Sequence, residues 1–95
     1  MTELEKLIKH SAAGVSIFVD DHKTTYESVE DYFRRPYYDD GDIDSDVYLK
    51  MVELDTIVCV TFYPDTPVGH YDIYHYDINK AISISWEILK KEKNL

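Results

Sequence analysis

The chain opens with Thr2-Glu3-Leu4-Glu5, a hydroxyl followed three residues on by a carboxylate, which is the spacing of a capping box. Leu4, Leu7 and Ile8 then share one helical face with Ser11 beside them, and Gly14 supplies a stop, so the pattern predicts a helix over about residues 3–12. From Gly14 to Asp20 the period changes to two, with Val15, Ile17 and Val19 alternating against Ser16, Phe18 and Asp20, as in a strand. A polar connector, 21–24, leads to a second capping-box pattern at Thr24 and Glu27. The stripe Val29, Tyr32 and Phe33 follows, and Pro36 ends that helix at or before Arg35.

Residues 36–46 hold five aspartates, a glycine and a proline and read as an acidic loop. Strand spacing puts Val47, Leu49 and Met51 on one face, which predicts a strand over 47–53 followed by a short turn at Glu53-Leu54-Asp55. Thr56–Tyr63 is β-branched and aromatic, apolar on both faces, and reads as a central strand. After a loop at 64–67, residues 69–76 alternate aromatic and polar positions, as a strand with one solvated face does. Over 78–91 the apolar residues fill a helical arc of roughly 200°, at 100° per residue. Asp77 is placed to cap that helix, and Lys90, Lys91 and Lys93 suit its C-terminal end. The predicted order is α-β-α-β-β-β-α: a small single α+β domain, residues 1–95, with an antiparallel sheet of about four strands packed by helices.

Charge sharpens this picture. The 95 residues carry 19 acids and 10 bases, a formal net charge of −9. Ten of the acids and only three bases fall between Asp20 and Asp46, while the stretch from Lys80 onward is net positive. That balance argues against direct binding to nucleic acid or to an anionic membrane. No apolar run reaches the ~18–20 residues of a span, and the charged N-terminus does not read as a secretory signal. The expected location is the cytoplasm of a host cell.

Catalytic motifs are missing. Asp40, Asp42, Asp44 and Asp46 fail the EF-hand frame, because Ser45 and Met51 fall where glycine and a closing acid are needed. His70 pairs in register with Asp72 and His75 with Asp77, but on opposite strand faces, so the two pairs do not converge on a metal. Cys59 sits among Ile57, Val58 and Val60 and reads as a buried core residue. The serines fit no nucleophile elbow, and three glycines form no phosphate loop. The expectation is a non-enzyme without metal or cofactor.

The acidic stretch suggests a contact surface. Extended residues i, i+2 and i+4 place carboxylates ~6.6 Å apart on one side, from a rise of ~3.3 Å per residue; nucleic-acid phosphates advance ~3.4 Å each. Asp39, Asp40, Asp42, Asp44 and Asp46 with Tyr37, Tyr38 and Tyr48 therefore fit the basic groove of a nucleic-acid-binding protein, and Glu27, Glu30 and Asp31 extend the surface from the second helix. In size, acidity and tyrosine content, and in its lack of catalytic motifs, the chain resembles small phage or mobile-element inhibitors, anti-CRISPR proteins among them. The resemblance implies an acidic nucleic-acid mimic that blocks a nucleic-acid-binding enzyme of a bacterial defence system. Two other readings stand beside it. One is an immunity- or antitoxin-type regulator that binds through the strand of Tyr71, Tyr74 and Tyr76 or through an exposed sheet edge. The other is a nucleotide-signal sponge using Lys23, Arg34 and Arg35.

Overall fold

A computed structural model describes residues 1–34, 43–67 and 69–95. Among these the order is α1 (Glu3–His10), β1 (Val15–Val19), a 3-10 turn (Asp21–Thr24), α2 (Val29–Phe33), α3 (Ser45–Leu54), β2 (Val58–Phe62), β3 (Tyr71–His75) and α4 (Ile78–Glu92). The fold is α+β, with an antiparallel sheet of three strands in the order β1-β2-β3 among the described residues.

The predicted capping box forms: Glu5 N–H donates to Thr2 Oγ1 and Thr2 N–H to Glu5 Oε1, both at 3.1 Å. The Thr2 amide, and after it the Thr2 hydroxyl, favour the ionised carboxylate and hold Glu5 below its ordinary pKa. The helix stops at His10, two residues early, because the next groups are claimed by the sheet. Ser11 Oγ accepts from Tyr63 N–H (2.9 Å), and Ala12 N–H donates to the Tyr63 carbonyl (2.8 Å). Gly14, at φ +83°, makes the left-handed bend into β1.

The sheet has two differently covered faces. Val15, Ile17, Val58, Val60, Phe62, Tyr71 and Ile73 look toward α1 and α4, where they meet Leu7, Ala81, Ile82, Trp86 and Leu89. Fully burying a side chain such as Leu7 or Leu89 contributes roughly 1.5–3 kcal/mol. In α4, Asp77 accepts from Lys80 N–H (3.0 Å) as the predicted cap. Ser85, the one polar residue inside the apolar arc, is fully buried and satisfies its hydroxyl on the Ala81 carbonyl (2.7 Å).

Two expectations are corrected. The predicted strand over 47–53 is helix α3, which reduces about four strands to three. Val47, Tyr48, Met51 and Val52 lie at i, i+1, i+4 and i+5, an arc of roughly 140° at 100° per residue. Met51 is wholly buried and the other three pack beside it, whereas Leu49, assigned to the same face in the strand reading, is 62% exposed. Asp44 caps this helix, accepting from Asp46 N–H (2.9 Å) and Val47 N–H (3.3 Å). Ser45 and Asp46, expected in the acidic loop, therefore belong to α3, and residues 36–42 of that expected loop lie outside the described residues. Likewise Thr24 and Glu27 form no capping box. Thr24 closes the 3-10 turn by donating to the Asp21 carbonyl (2.9 Å), and Ser28 caps α2 by accepting from Asp31 N–H (3.1 Å).

His75 ends β3 on the α1/α4 side, buried, with Nδ1 accepting from Asp77 N–H (3.0 Å). Burial, then the charge of Lys80, hold its pKa below the ordinary value against a smaller upward pull from Asp77. Protonation would also remove the Nδ1 acceptor. As pH falls below about 6.5 the unfolded chain takes up this proton first. The contribution of His75 is thus fully present above that pH and is lost down through the lower native value. In urea titrations at pH 7.5 and 5, His75→Gln is expected to lose less stability on acidification than the parent; equal losses would exclude this linkage. Separately, Asp44→Ala removes the acceptor for two amides and is expected to cost ~1 kcal/mol, read as a lower urea midpoint at unchanged m-value.

Candidate acidic contact surface

Helices α2 and α3 pack antiparallel. Val29 N–H, at the start of α2, donates to Asp55 Oδ1 just past the end of α3 (3.3 Å). At the other end the Phe33 ring lies 5.7 Å from Tyr48, edge to face. Their inner faces place Val29, Phe33 and Met51 with Ile57 in a second core that meets Tyr74 and Tyr76 on the sheet side facing away from α4. The hydroxyls of Tyr32 and Tyr74 join across this contact at 3.1 Å. With the apolar residues turned inward, the carboxylates of both helices face outward.

The predicted site residues divide accordingly. Tyr37, Tyr38, Asp39, Asp40 and Asp42 lie outside the described residues, and Tyr48, expected on the contact surface, packs instead against Phe33 in the second core. Glu27, Glu30 and Asp31 gather at the start of α2, with Asp31 Oδ2 accepting from Glu27 N–H (3.3 Å). Glu30 pairs with Arg34 at 3.2 Å across one helical turn. Asp44 and Asp46 sit at the start of α3, at the opposite end of the helix pair. Ten helical residues separate the ends of α3 by about 15 Å, so these acids form two patches, not one row. Asp46 is helical and has left the extended alternation that the mimic geometry assumed. Asp31 and Asp46 each stand in a first turn, where the helix dipole favours negative charge.

A second group was not legible in the sequence. Asp20 and Asp55 both adopt left-handed backbone, at φ 55° and 49°, which aspartate tolerates better than most residues. Asp20 ends β1: its N–H donates to the Ile57 carbonyl (2.8 Å), and its Oδ1 accepts from Ile57 N–H (3.1 Å). Asp55 ends α3 and ties down α2 through Val29. Between them lies His22, its side chain fully buried, with Nε2 3.5 Å from Asp55 Oδ1 and neither ring nitrogen hydrogen-bonded. Lys23 Nζ approaches Asp20 (3.8 Å) and Asp55 (4.0 Å). The only advance signal was that a turn lacking glycine, Glu53-Leu54-Asp55, ended in a residue able to take φ > 0.

Charge separates in space as it does along the chain. The described residues between Asp20 and Ile57 supply nine acids and three bases, and each of those bases is within 4.0 Å of a carboxylate: Lys23 of Asp20 and Asp55, Arg34 of Glu30, Lys50 of Glu53. Asp21, Glu27 and Asp46 are exposed and meet no base among the described residues. Lysines 80, 90, 91 and 93 belong to α4 and its end, on the far side of the sheet.

The other candidates take structural places. His70 pairs with Asp72 (3.5 Å) at the surface, whereas His75 turns inward and meets the Asp77 amide. Cys59 is buried. Tyr71 stacks on Phe62 and donates to Glu92 Oε1 (2.9 Å), which raises its pKa, while Tyr74 and Tyr76 enter the second core. Among the described residues no three histidine, cysteine or acidic side chains form a metal-binding group, and no helix is long and apolar enough to cross a membrane. Comparison with protein-family models, curated proteins and solved structures finds no match.

Asp55→Asn keeps an acceptor for Val29 and the tolerance for left-handed backbone. Asp55→Ala loses both and is expected to destabilise by ~2 kcal/mol, against ~0.5 kcal/mol or less for the asparagine variant, in equilibrium urea unfolding. Equal effects of the two would mean that Asp55 acts through its charge alone.

Proposed function

We propose that this chain is a non-enzymatic interaction protein whose acidic α2/α3 side occupies a basic, nucleic-acid-binding groove, as an inhibitor of a nuclease or similar defence enzyme would. The observation that carries the reading is the segregation of charge: an acid-rich helix pair on one sheet face and lysines on the helix covering the other. Self-repulsion among these carboxylates costs stability, and those of Glu27 and Asp46 hold no amide or base among the described residues that would offset it. A surface of this kind steers a basic partner into contact and orients it on approach.

Glu27, Asp31 and Asp46 are assigned to contact, with Asp39, Asp40 and Asp42 expected to add charge. The nucleotide-sponge alternative is less well supported, because Lys23 and Arg34 are both engaged by carboxylates. The reading is tested by immobilising the chain, passing a bacterial lysate over it, and eluting with a short duplex oligonucleotide and then with salt. The expected result is oligonucleotide-eluted proteins that themselves bind nucleic acid. Their affinity for a Glu27→Gln, Asp31→Asn, Asp46→Asn variant is expected to fall tenfold or more, ~1.4 kcal/mol. Capture that ignores both competitor and substitutions would refute the mimic.

A further inference from the structure

Strand β1 forms one edge of the sheet, and its ladder determines which of its peptide groups are used. Asp20 N–H donates to the Ile57 carbonyl, in register with the pairs Val19↔Val58 through Val15↔Phe62. Bonded pairs alternate in an antiparallel ladder, so Phe18 and Ser16 also bond to β2, and the N–H and C=O groups of Val15, Ile17 and Val19 point away from it. Among the described residues no strand pairs with that outer side. The usual protections of an edge are missing: Val-Ser-Ile-Phe-Val has no charge, no proline and an unbroken register. Phe18 is 50% exposed and Val19 54%.

We propose that β1 pairs with β1 of a second copy of this chain, antiparallel about a twofold axis at Ile17, joining two sheets into one of six strands. The register selects this occupant. Val15, Ile17 and Val19 would meet Val19, Ile17 and Val15 of the second copy, so the outward peptide groups of all three residues on each chain are used. Their side chains all lie on the α1/α4 face, giving three β-branched cross-strand pairs and covering the exposed Val19. On the other face Phe18 stands opposite Ser16 of the second copy.

Charge matches in the same register. Asp20 and Asp21 come beside residues 13 and 14 of the second copy, which follow the end of α1. Lys9 lies in that last turn, and Lys93 Nζ donates to the His10 carbonyl there (2.9 Å). Twofold symmetry makes this acidic-to-basic contact twice. The axis is perpendicular to the sheet, so both α2/α3 pairs lie on the same side of the six-stranded sheet. The pairing itself is independent of the function proposed above.

Sedimentation equilibrium of the full chain over a wide concentration range, with amide hydrogen exchange followed by NMR, tests the proposal. The expected results are a species of twice 11.2 kDa and concentration-dependent protection of the Val15, Ile17 and Val19 amides. Ser16 and Phe18, already bonded to β2, should not change. Val19→Pro removes one outward donor at a position where an edge strand tolerates proline. It is expected to weaken the dimer at least tenfold while leaving Ser16 and Phe18 protected. Asp21→Lys and Lys9→Glu should each weaken it, and the two together should restore it. A monomer at every concentration with the three amides unprotected overturns the proposal; so does a dimer untouched by Val19→Pro in a folded chain, or a failure of the paired charge swap to restore association. Should Val19→Pro not fold, the exchange pattern of the parent chain decides.

Discussion

Ile57, Val58, Cys59 and Val60 are four consecutive residues with less than a tenth of their surface exposed, and strand β2 can sit in such a place only if both faces of the sheet are covered there. Val58, Val60 and Phe62 need α1 and α4 on one side. Ile57 and Cys59 need a second layer on the other, near Tyr74, and α2 and α3 supply it. That two-sided burial places β2 in the centre, leaves β1 and β3 as edges, and separates the helices into two layers. The short elements depend on it as well: α2 has five residues, too few for a helix to persist in water by itself. It is held by the Ser28 cap, the Asp55 carboxylate and the burial of Val29 and Phe33.

The sheet consequently divides the charge. Acids concentrated in one stretch of sequence become acids on one side of the molecule, because that stretch builds the second helical layer while lysine-rich α4 builds the first. The division asks little of the core, since the carboxylates lie outside while Val29, Phe33, Met51 and the tyrosines make the contacts within. Some of the acids still act structurally. Asp20, Asp31, Asp44 and Asp55 each accept from a backbone amide, whereas the carboxylates of Glu27 and Asp46 do not.

The tyrosines illustrate how one composition serves two ends. Along β3, Tyr71 and Tyr74 point to opposite faces and enter different cores, one through stacking on Phe62 and the other through the hydroxyl of Tyr32. Their polar tips are hydrogen-bonded to Glu92 and to Tyr32. Burial of the rings therefore leaves no stranded hydroxyl, and it takes from β3 most of the apolar area that an interface along it would use.

Local chemistry alone was sufficient for the capping box at Thr2, the Asp77 cap and apolar arc of α4, the β-branched central strand and the uneven charge. Each of these depends on residues within a turn or on an alternation that no distant contact reverses. Residues 45–54 depended on distant contacts: their apolar positions allowed either period, and the deciding partners, Phe33 and Tyr74, are remote in sequence. The group of Asp20, His22 and Asp55 was equally illegible, since nothing local says that a polar connector will be buried or that two left-handed aspartates will close around it. Sequence determined where the charge and the strongest elements lie. Tertiary structure decided the third strand's limit, the hairpin of α2 and α3 and the side on which the acids gather, because those outcomes are set by which surfaces must cover β2.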